Sequence, residues 1–313
     1  MVDQPAPPLP DWLARLFPLT RCVHVIDDGA DAGRRIHYVD HGPRDAPAVV
    51  MCHGNPTWSF LWRKVIAELP DMRCLAPDML GLGLSDKLPR EDDHTYVRHL
   101  DALTDWLRAL DLPRVILVGQ DWGGPIAMGL GQRLPDRVSG IVLANTSVLV
   151  PRRPRGTWFH RFARLPVVSR PVFRWLGAPQ KLLWVAQGDR RSIRGDVARA
   201  YRWPLRHLRD RAAPQGLARM VGDRPDHPSV APMRETEAWV RGFEGPIALV
   251  WGTRDPILGR ALRRHREAFP DAPVTETDAG HFLQEEVPAA IAAAIADVAA
   301  RAGVASARPL STD

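Results

Sequence analysis

One segment of this sequence combines a strand of the buried type with a turn that could present a reactive carboxylate. Residues 115–118 are apolar, and the letters GQDWGG (119–124) follow them before a stretch with helical spacing. Small residues on both sides of a central side chain are typical of a nucleophile elbow, a strained strand-to-helix turn. The central residue here is Asp121 rather than serine. Taken alone, the segment also fits a glycine-rich turn in which Asp121 caps the helix.

Three other segments supply partners for Asp121. The letters HGNP (53–56) follow an apolar strand, at the position of an oxyanion loop. Asp255 lies just past the apolar run 247–251, and His281 follows the last predicted strand. A loop histidine in that position can reach the elbow. The chain order nucleophile, acid, base is then Asp121, Asp255 and His281, and four matching segments in order argue against coincidence.

The elements that must position these residues alternate between strands and helices. Short β-branched runs predict strands, and apolar positions at helical spacing predict helices between them. This alternation favours an α/β fold with a mostly parallel central sheet and helices on both faces. The predicted strands are 23–26, 36–39, 48–52, 74–76, 115–118, 141–143, 247–251 and 274–277, and the predicted helices are 95–110, 123–134, 259–269 and 288–300.

The alternation stops in the middle of the chain. Residues 146–240 contain no convincing strand, many arginines and several prolines. We therefore predict a helical cap inserted in one α/β core domain, formed by residues 21–145 and 241–300. Residues 1–20 and 301–313 are predicted to be terminal extensions.

Composition places the chain among globular proteins. It has 313 residues, of which 45% are hydrophobic and 25% charged. No apolar run reaches the roughly 18 residues of a membrane-spanning helix, and the N-terminus lacks the pattern of a secretory signal. The three cysteines have no CxxC spacing, and Cys52 and Cys74 lie in predicted strands. We therefore expect reduced thiols, a cytoplasmic protein, and no metal or cofactor.

The net charge of +6 raises the question of nucleic-acid binding. Residues 151–222 hold 17 basic and 3 acidic side chains, so the basicity belongs to one segment. That segment carries no recognised nucleic-acid motif, and 39 of the 42 basic residues are arginine. We predict no nucleic-acid binding, and interpret the segment as a cationic rim that attracts anions.

With these residues in view, the chain closely resembles the haloalkane dehalogenases of the α/β-hydrolase superfamily. The resemblance covers about residues 21–300 and is most specific in the elbow and the Asn55 loop. Among the haloalkane dehalogenases, the chain resembles the third subfamily, because Asp255 is present and Asn145 stands where the second subfamily carries glutamate. The matching segments are HGNPTWSFLWR (53–63), APDMLGLGLSD (76–86), GQDWGGPIAM (119–128) and GHFLQEE (280–286).

The resemblance implies a two-step reaction on a small apolar halogenated substrate. Asp121 would attack the carbon that carries the halogen and form an alkyl ester. The Asn55 amide and the Trp122 indole would donate to the leaving halide. His281, oriented by Asp255, would then activate water to hydrolyse the ester to a primary alcohol. Backbone N–H groups of Trp122 and Asn55 would stabilise the oxyanion.

Other activities use a similar set of residues. An epoxide hydrolase needs two cap tyrosines, whereas Tyr201 is the only tyrosine in the predicted cap, where we expect a structural role. A β-lactone decarboxylase keeps the same Asp, Asn and Trp, so the site residues leave this alternative open. A non-catalytic binding protein is disfavoured because the full triad is retained. Substrate chain length, halogen preference and oligomeric state do not follow from the sequence.

Overall fold

A computed structural model of the chain describes residues 4–154, 157–165 and 167–304. The strands form one nine-stranded sheet in the order β1-β2-β3-β5-β4-β6-β7-β8-β9. Strands β5, β4 and β6 to β9 pair in parallel, whereas the pairs from β1 to β3 and the pair β3-β5 are antiparallel. They are β1 (Gln4–Pro5), β2 (Arg21–Val25), β3 (Arg35–His41), β4 (Ala48–Cys52), β5 (Arg73–Pro77), β6 (Val115–Asp121), β7 (Val138–Thr146), β8 (Ile247–Gly252) and β9 (Val274–Thr277).

Helices cover both faces of this sheet. In β6, Val115 and Leu117 pack into the apolar cluster on one face of the sheet, whereas Ile116 and Val118 pack into the cluster on the other face. A strand buried on both faces needs a continuous apolar run, which is the pattern seen in the sequence. The helices are α1 (Asp11–Leu16), α2 (Arg63–Ala67), α3 (Tyr96–Ala109), α4 (Gly123–Arg133), α5 (Trp158–Ala163), α6 (Gly195–Arg202), α7 (Ala213–Met220), α8 (Val230–Arg241), α9 (Ala261–Ala268) and α10 (Pro288–Arg301).

The predicted fold class, a mostly parallel sheet with helices on both faces, is confirmed. Two central strands run further than the sequence indicated, because their ends are polar. Strand β6 continues to Asp121, which pairs with Thr146, and β7 spans Val138–Thr146 instead of residues 141–143. Backbone pairing does not require apolar side chains, so the polar ends of both strands escaped the hydrophobic pattern.

The N-terminal residues differ from the predicted extension over residues 1–20. Strand β1 pairs with β2, and α1 buries Leu13 in the core. Phe17 lies edge-on against Trp58 and Phe60, with ring centroids 5.2 and 5.5 Å away. Prolines at positions 5, 7, 8 and 10 disfavour regular structure, but these apolar side chains anchor the segment. At the other end, residues 305–313 of the predicted extension lie outside the described residues.

The segment between β7 and β8 contains helices and, in its described residues, no strand. Helix α8 packs on α4, where the Trp239 ring fills the space left by Gly131. The Thr236 hydroxyl also lies 2.9 Å from the Tyr96 hydroxyl of α3. Helix α8 therefore belongs with the core layer although it falls within residues 146–240. Among the described residues, no helix is long and apolar enough to cross a membrane.

Candidate active site

The turn between β6 and α4 has the geometry of a nucleophile elbow. Asp121 adopts a left-handed backbone conformation with φ of 52°, which is uncommon for a residue with a side chain. The backbone of Gly119 approaches that of Gly124 so closely that a Cβ on Gly119 would collide with it. A Cβ on Gly124 would collide with the Thr146 side chain of β7. The flanking glycines are therefore required by close packing around the turn.

The two carboxylate oxygens of Asp121 have different surroundings. Oδ1 accepts a hydrogen bond of 2.8 Å from the backbone N–H of Asn55, and the backbone N–H of Trp122 also donates to the carboxylate. Oδ2 lies 3.6 Å from Nε2 of His281. Burial raises the pKa of Asp121, although His281 and the two N–H groups oppose this shift. One oxygen is thus held by the backbone, and the other faces the imidazole.

His281 and Asp255 form the pair that the sequence predicted. Nδ1 of His281 lies 2.9 Å from Oδ2 of Asp255, while Oδ1 of Asp255 accepts from the backbone N–H groups of Ile257 and Leu258. Burial favours the neutral form of His281, but the carboxylates of Asp255 and Asp121 outweigh it and raise the pKa of the imidazole. The hydrogen bond on Nδ1 leaves Nε2 facing Asp121.

Asn145 connects Asp255 to the strands around it, a contact that the sequence did not indicate. Its buried side-chain nitrogen donates to Oδ2 of Asp255 at 2.9 Å and to the carbonyl of Gly280 at 3.0 Å. Its Oδ1 accepts from the backbone N–H of Gly252 at 2.8 Å. The available signal was its position at the carboxyl end of a strand that neighbours both β6 and β8.

Asn55 and Trp122, the two predicted halide donors, both lie beside Asp121. The Trp122 side chain is buried. The Asn55 amide donates to the carbonyl of Pro214 in α7 at 3.0 Å, a contact that sequence analysis did not predict. An amide nitrogen carries two hydrogens, so its second hydrogen can serve another acceptor.

The segment around residues 186–189 of the predicted cap is hydrogen-bonded to the His281 loop. The backbone N–H of His281 donates to the carbonyl of Ala186 at 2.8 Å, and that of Phe282 donates to Oε1 of Gln187 at 2.9 Å. The Glu286 carboxylate accepts two backbone N–H groups of the same segment. The helical segment therefore holds the histidine loop as well as contacting Asn55.

A buried charged cluster lies next to that loop. Glu285 accepts two hydrogen bonds from Arg63, of 2.5 and 2.8 Å, and one of 2.6 Å from the Tyr201 hydroxyl. The ammonium group of Lys64 lies 3.1 Å from the same carboxylate. Arg63 and Glu285 fall within the sequence segments that carry the family resemblance, but their partnership was not predicted. It joins Tyr201 of α6 to the core.

The described residues hold no group of three or more His, Cys, Asp or Glu side chains that could bind a metal ion. All three cysteines are buried, and no disulfide joins them within the described chain. Burial raises the pKa of the Cys52 and Cys74 thiols to about 12.

The sheet order, the elbow and the paired His281 and Asp255 define an α/β hydrolase with an aspartate at the elbow. A model of the α/β-hydrolase fold matches residues 47–288. The chain is 34% identical over 270 residues to a haloalkane dehalogenase of Mycolicibacterium paratuberculosis, covering 84% of this chain and 87% of that protein. It is 36% identical over 269 residues to haloalkane dehalogenase 2 of Mycobacterium bovis, covering 83% and 90%.

A solved structure shows the same fold. The tetrameric haloalkane dehalogenase of Paraglaciecola agarilytica superposes with a TM-score of 0.77 at 24% identity, over 94% of this chain and 97% of that chain. The chain therefore belongs to the α/β-hydrolase family and, within it, to the haloalkane dehalogenases.

Proposed function

We propose that this protein hydrolyses the carbon–halogen bond of small apolar haloalkanes to a primary alcohol, a halide ion and a proton. The observation that carries the proposal is a carboxylate at the elbow, Asp121, with His281 facing one of its oxygens. Its relatives are named for this activity. Asp121, Asp255 and His281 act as nucleophile, acid and base, and Asn55 and Trp122 stabilise the halide.

In the first step, Oδ2 of Asp121 attacks the sp3 carbon, and the carbon–halogen bond breaks with its electron pair leaving on the halide. The halide needs no proton, only donors directed at the developing anion. The Trp122 indole and the second hydrogen of the Asn55 amide serve this purpose. Both donors are neutral, which allows the product halide to dissociate more readily than from an arginine or lysine.

In the second step, Nε2 of His281 takes a proton from water, and the water oxygen attacks Cγ of the Asp121 ester. Negative charge develops on Oδ1, which already accepts the backbone N–H of Asn55. Asp255 stabilises the imidazolium that forms. Collapse releases the alcohol, with its proton supplied by His281, and the regenerated carboxyl group loses the remaining proton.

The helical segment within residues 146–240 acts as the cap over this site. Its support is the contact of Asn55 with Pro214 and that of the His281 loop with Ala186. A cap excludes water and provides an apolar environment in which the charges at Asp121 and His281 interact strongly. The buried cysteines without disulfides are consistent with work in the cytoplasm.

Two related activities are less well supported. Epoxide ring opening requires cap tyrosine hydroxyls directed at the ring oxygen, whereas the Tyr201 hydroxyl donates to Glu285. β-Lactone decarboxylation would use the same Asp121 and His281, but the relatives carry haloalkane dehalogenase names. Asp255 as the acid, with Asn145 beside it, agrees with the third-subfamily pattern.

Halide release and intact mass test the proposal together. Wild type should release bromide continuously from 1-bromobutane and 1,2-dibromoethane. His281→Phe should release about one bromide per protein and then carry a stable alkyl adduct on Asp121, because only the second step needs the base. Asp121→Asn is the control and should show neither bromide nor adduct. Absence of both from wild type and His281→Phe would refute the activity, and formation of alkene and carbon dioxide from β-lactones would support the alternative.

A further inference from the structure

The exposed apolar side chains of this protein are concentrated in one stretch of the chain. Among the described residues, ten large hydrophobic side chains are exposed, and only Val97 and Ile257 lie outside residues 165–208. The most exposed are Val167 at 81%, Trp175 at 70% and Leu176 at 65%. Where such side chains form a contiguous patch on a monomeric protein, the patch commonly marks a binding site. The other members are Leu165, Val168, Leu182, Val185 and Leu208.

These side chains are held on neighbouring segments. The Arg211 guanidinium donates to the carbonyls of Arg174 and Trp175, at 2.6 and 3.3 Å, and to that of Arg206 at 3.1 Å. It thereby ties the segment of Trp175 and Leu176 to the segment that carries Leu208. Val167 and Trp175 also line one cleft of about 520 Å³. We call the side chains of Val167, Trp175, Leu176 and Leu208 the apolar cap face.

The same part of the chain is strongly cationic. Residues 151–222 carry 17 basic and 3 acidic side chains. Among the described residues 181–210, salt bridges join Arg199 to Asp196 and Arg209 to Asp210. The other cations of this stretch form no salt bridge with a described carboxylate; they are Lys181, Arg190, Arg191, Arg194, Arg202 and Arg206.

We propose that the apolar cap face docks this protein on an anionic lipid bilayer. Exposed tryptophan and leucine among arginines is the composition of surfaces that lie at a membrane interface. Each basic residue near an anionic bilayer strengthens binding about fivefold at low salt, while the apolar side chains enter the headgroup boundary. A second copy of the chain would bring two cationic surfaces together, so charge complementarity favours the lipid over self-association through this face.

Vesicle co-sedimentation of the full-length protein tests this proposal. Vesicles of phosphatidylcholine with 30% phosphatidylglycerol should bind the protein at low salt, and binding should weaken at high salt because the charges are screened. Trp175→Ser with Leu176→Ser should lower the partition coefficient at least tenfold. The matched control, Val97→Ser with Ile257→Ser, removes exposed apolar side chains elsewhere and should leave it unchanged.

A second pair of variants tests the charge. Lys181→Gln with Arg206→Gln should lower binding to anionic vesicles about 25-fold at low salt, whereas Arg108→Gln, which removes an exposed arginine outside residues 146–240, should have little effect. Thermal melting shows whether each variant is folded. Equal binding to pure phosphatidylcholine, or no binding to either vesicle, would overturn the proposal. Self-association that depends on Trp175 and Leu176 without lipid binding would overturn it in favour of a second copy.

Discussion

The buried cluster around Glu285 makes the most demanding prediction about stability. Its carboxylate is fully inaccessible and accepts two hydrogen bonds from Arg63, one from Tyr201 and a contact from Lys64. Glu285→Gln removes the negative charge without changing the size of the side chain. Arg63, which is only 9% exposed, then keeps its charge without a neutralising partner.

The expected magnitude follows from these contacts. Removing one member of a buried ion pair costs about 3–5 kcal/mol of the free energy of unfolding, because the remaining charge stays desolvated. For a chain of this size that loss lowers the melting temperature by about 10 °C. Tyr201→Phe removes a single hydrogen bond, while Arg63 and Lys64 still neutralise Glu285. It should cost about 1.5 kcal/mol, the lower end for a bond to a charged group.

Urea unfolding followed by circular dichroism measures these differences. The matched control is Asp297→Asn, which removes an exposed carboxylate and breaks its pair with Arg301 in α10. That change should cost no more than about 0.5 kcal/mol. A loss from Glu285→Gln as small as that of the α10 control would show that the buried charge of Glu285 does not hold Tyr201 of α6 to Arg63.

Three further predictions concern the site and the thiols. Because protonated His281 cannot accept a proton from water, turnover should fall as the pH drops through the raised pKa of His281. The alkyl ester removes the negative charge of Asp121, so the pKa of His281 is lower in the ester than in the free protein. Ester hydrolysis in single-turnover kinetics should therefore fall at a lower pH than the imidazole titration that NMR measures in the free protein. Asn145→Ala should slow hydrolysis of the ester more than bromide release in the first turnover, because Asp255 loses a positioning hydrogen bond. The same change should lower the free energy of unfolding measured in urea by about 2–4 kcal/mol. Equal slowing of both steps would contradict the positioning role. The three buried cysteines should not react with a thiol reagent in the native protein and should all react in urea. Burial blocks access and raises the pKa of Cys52 and Cys74 to about 12, so rapid labelling of the native protein would contradict their burial.

Sequence pattern predicted strands well where β-branched residues are bounded by turn residues. Strands β4 and β9 were predicted with the bounds Ala48–Cys52 and Val274–Thr277 that the structure has. The prediction was weaker at polar strand ends, as in β7, and at the N-terminus, where prolines concealed the packing of Phe17. Both failures arise because hydrophobic pattern reports burial of side chains and not backbone pairing or distant contacts.

The sequence by itself determined the fold class, the elbow around Asp121 and the chain order of Asp255 and His281. These features depend on local spacing, and residues after parallel strands meet at one edge of the sheet. Only the tertiary structure decided which polar groups meet across the chain. Asn55 contacts Pro214 across 159 positions, and Arg63 reaches Glu285 across 222. In the sequence, the charged Arg63 and Glu285 look like solvent-exposed residues, because their burial depends on how distant segments pack around them.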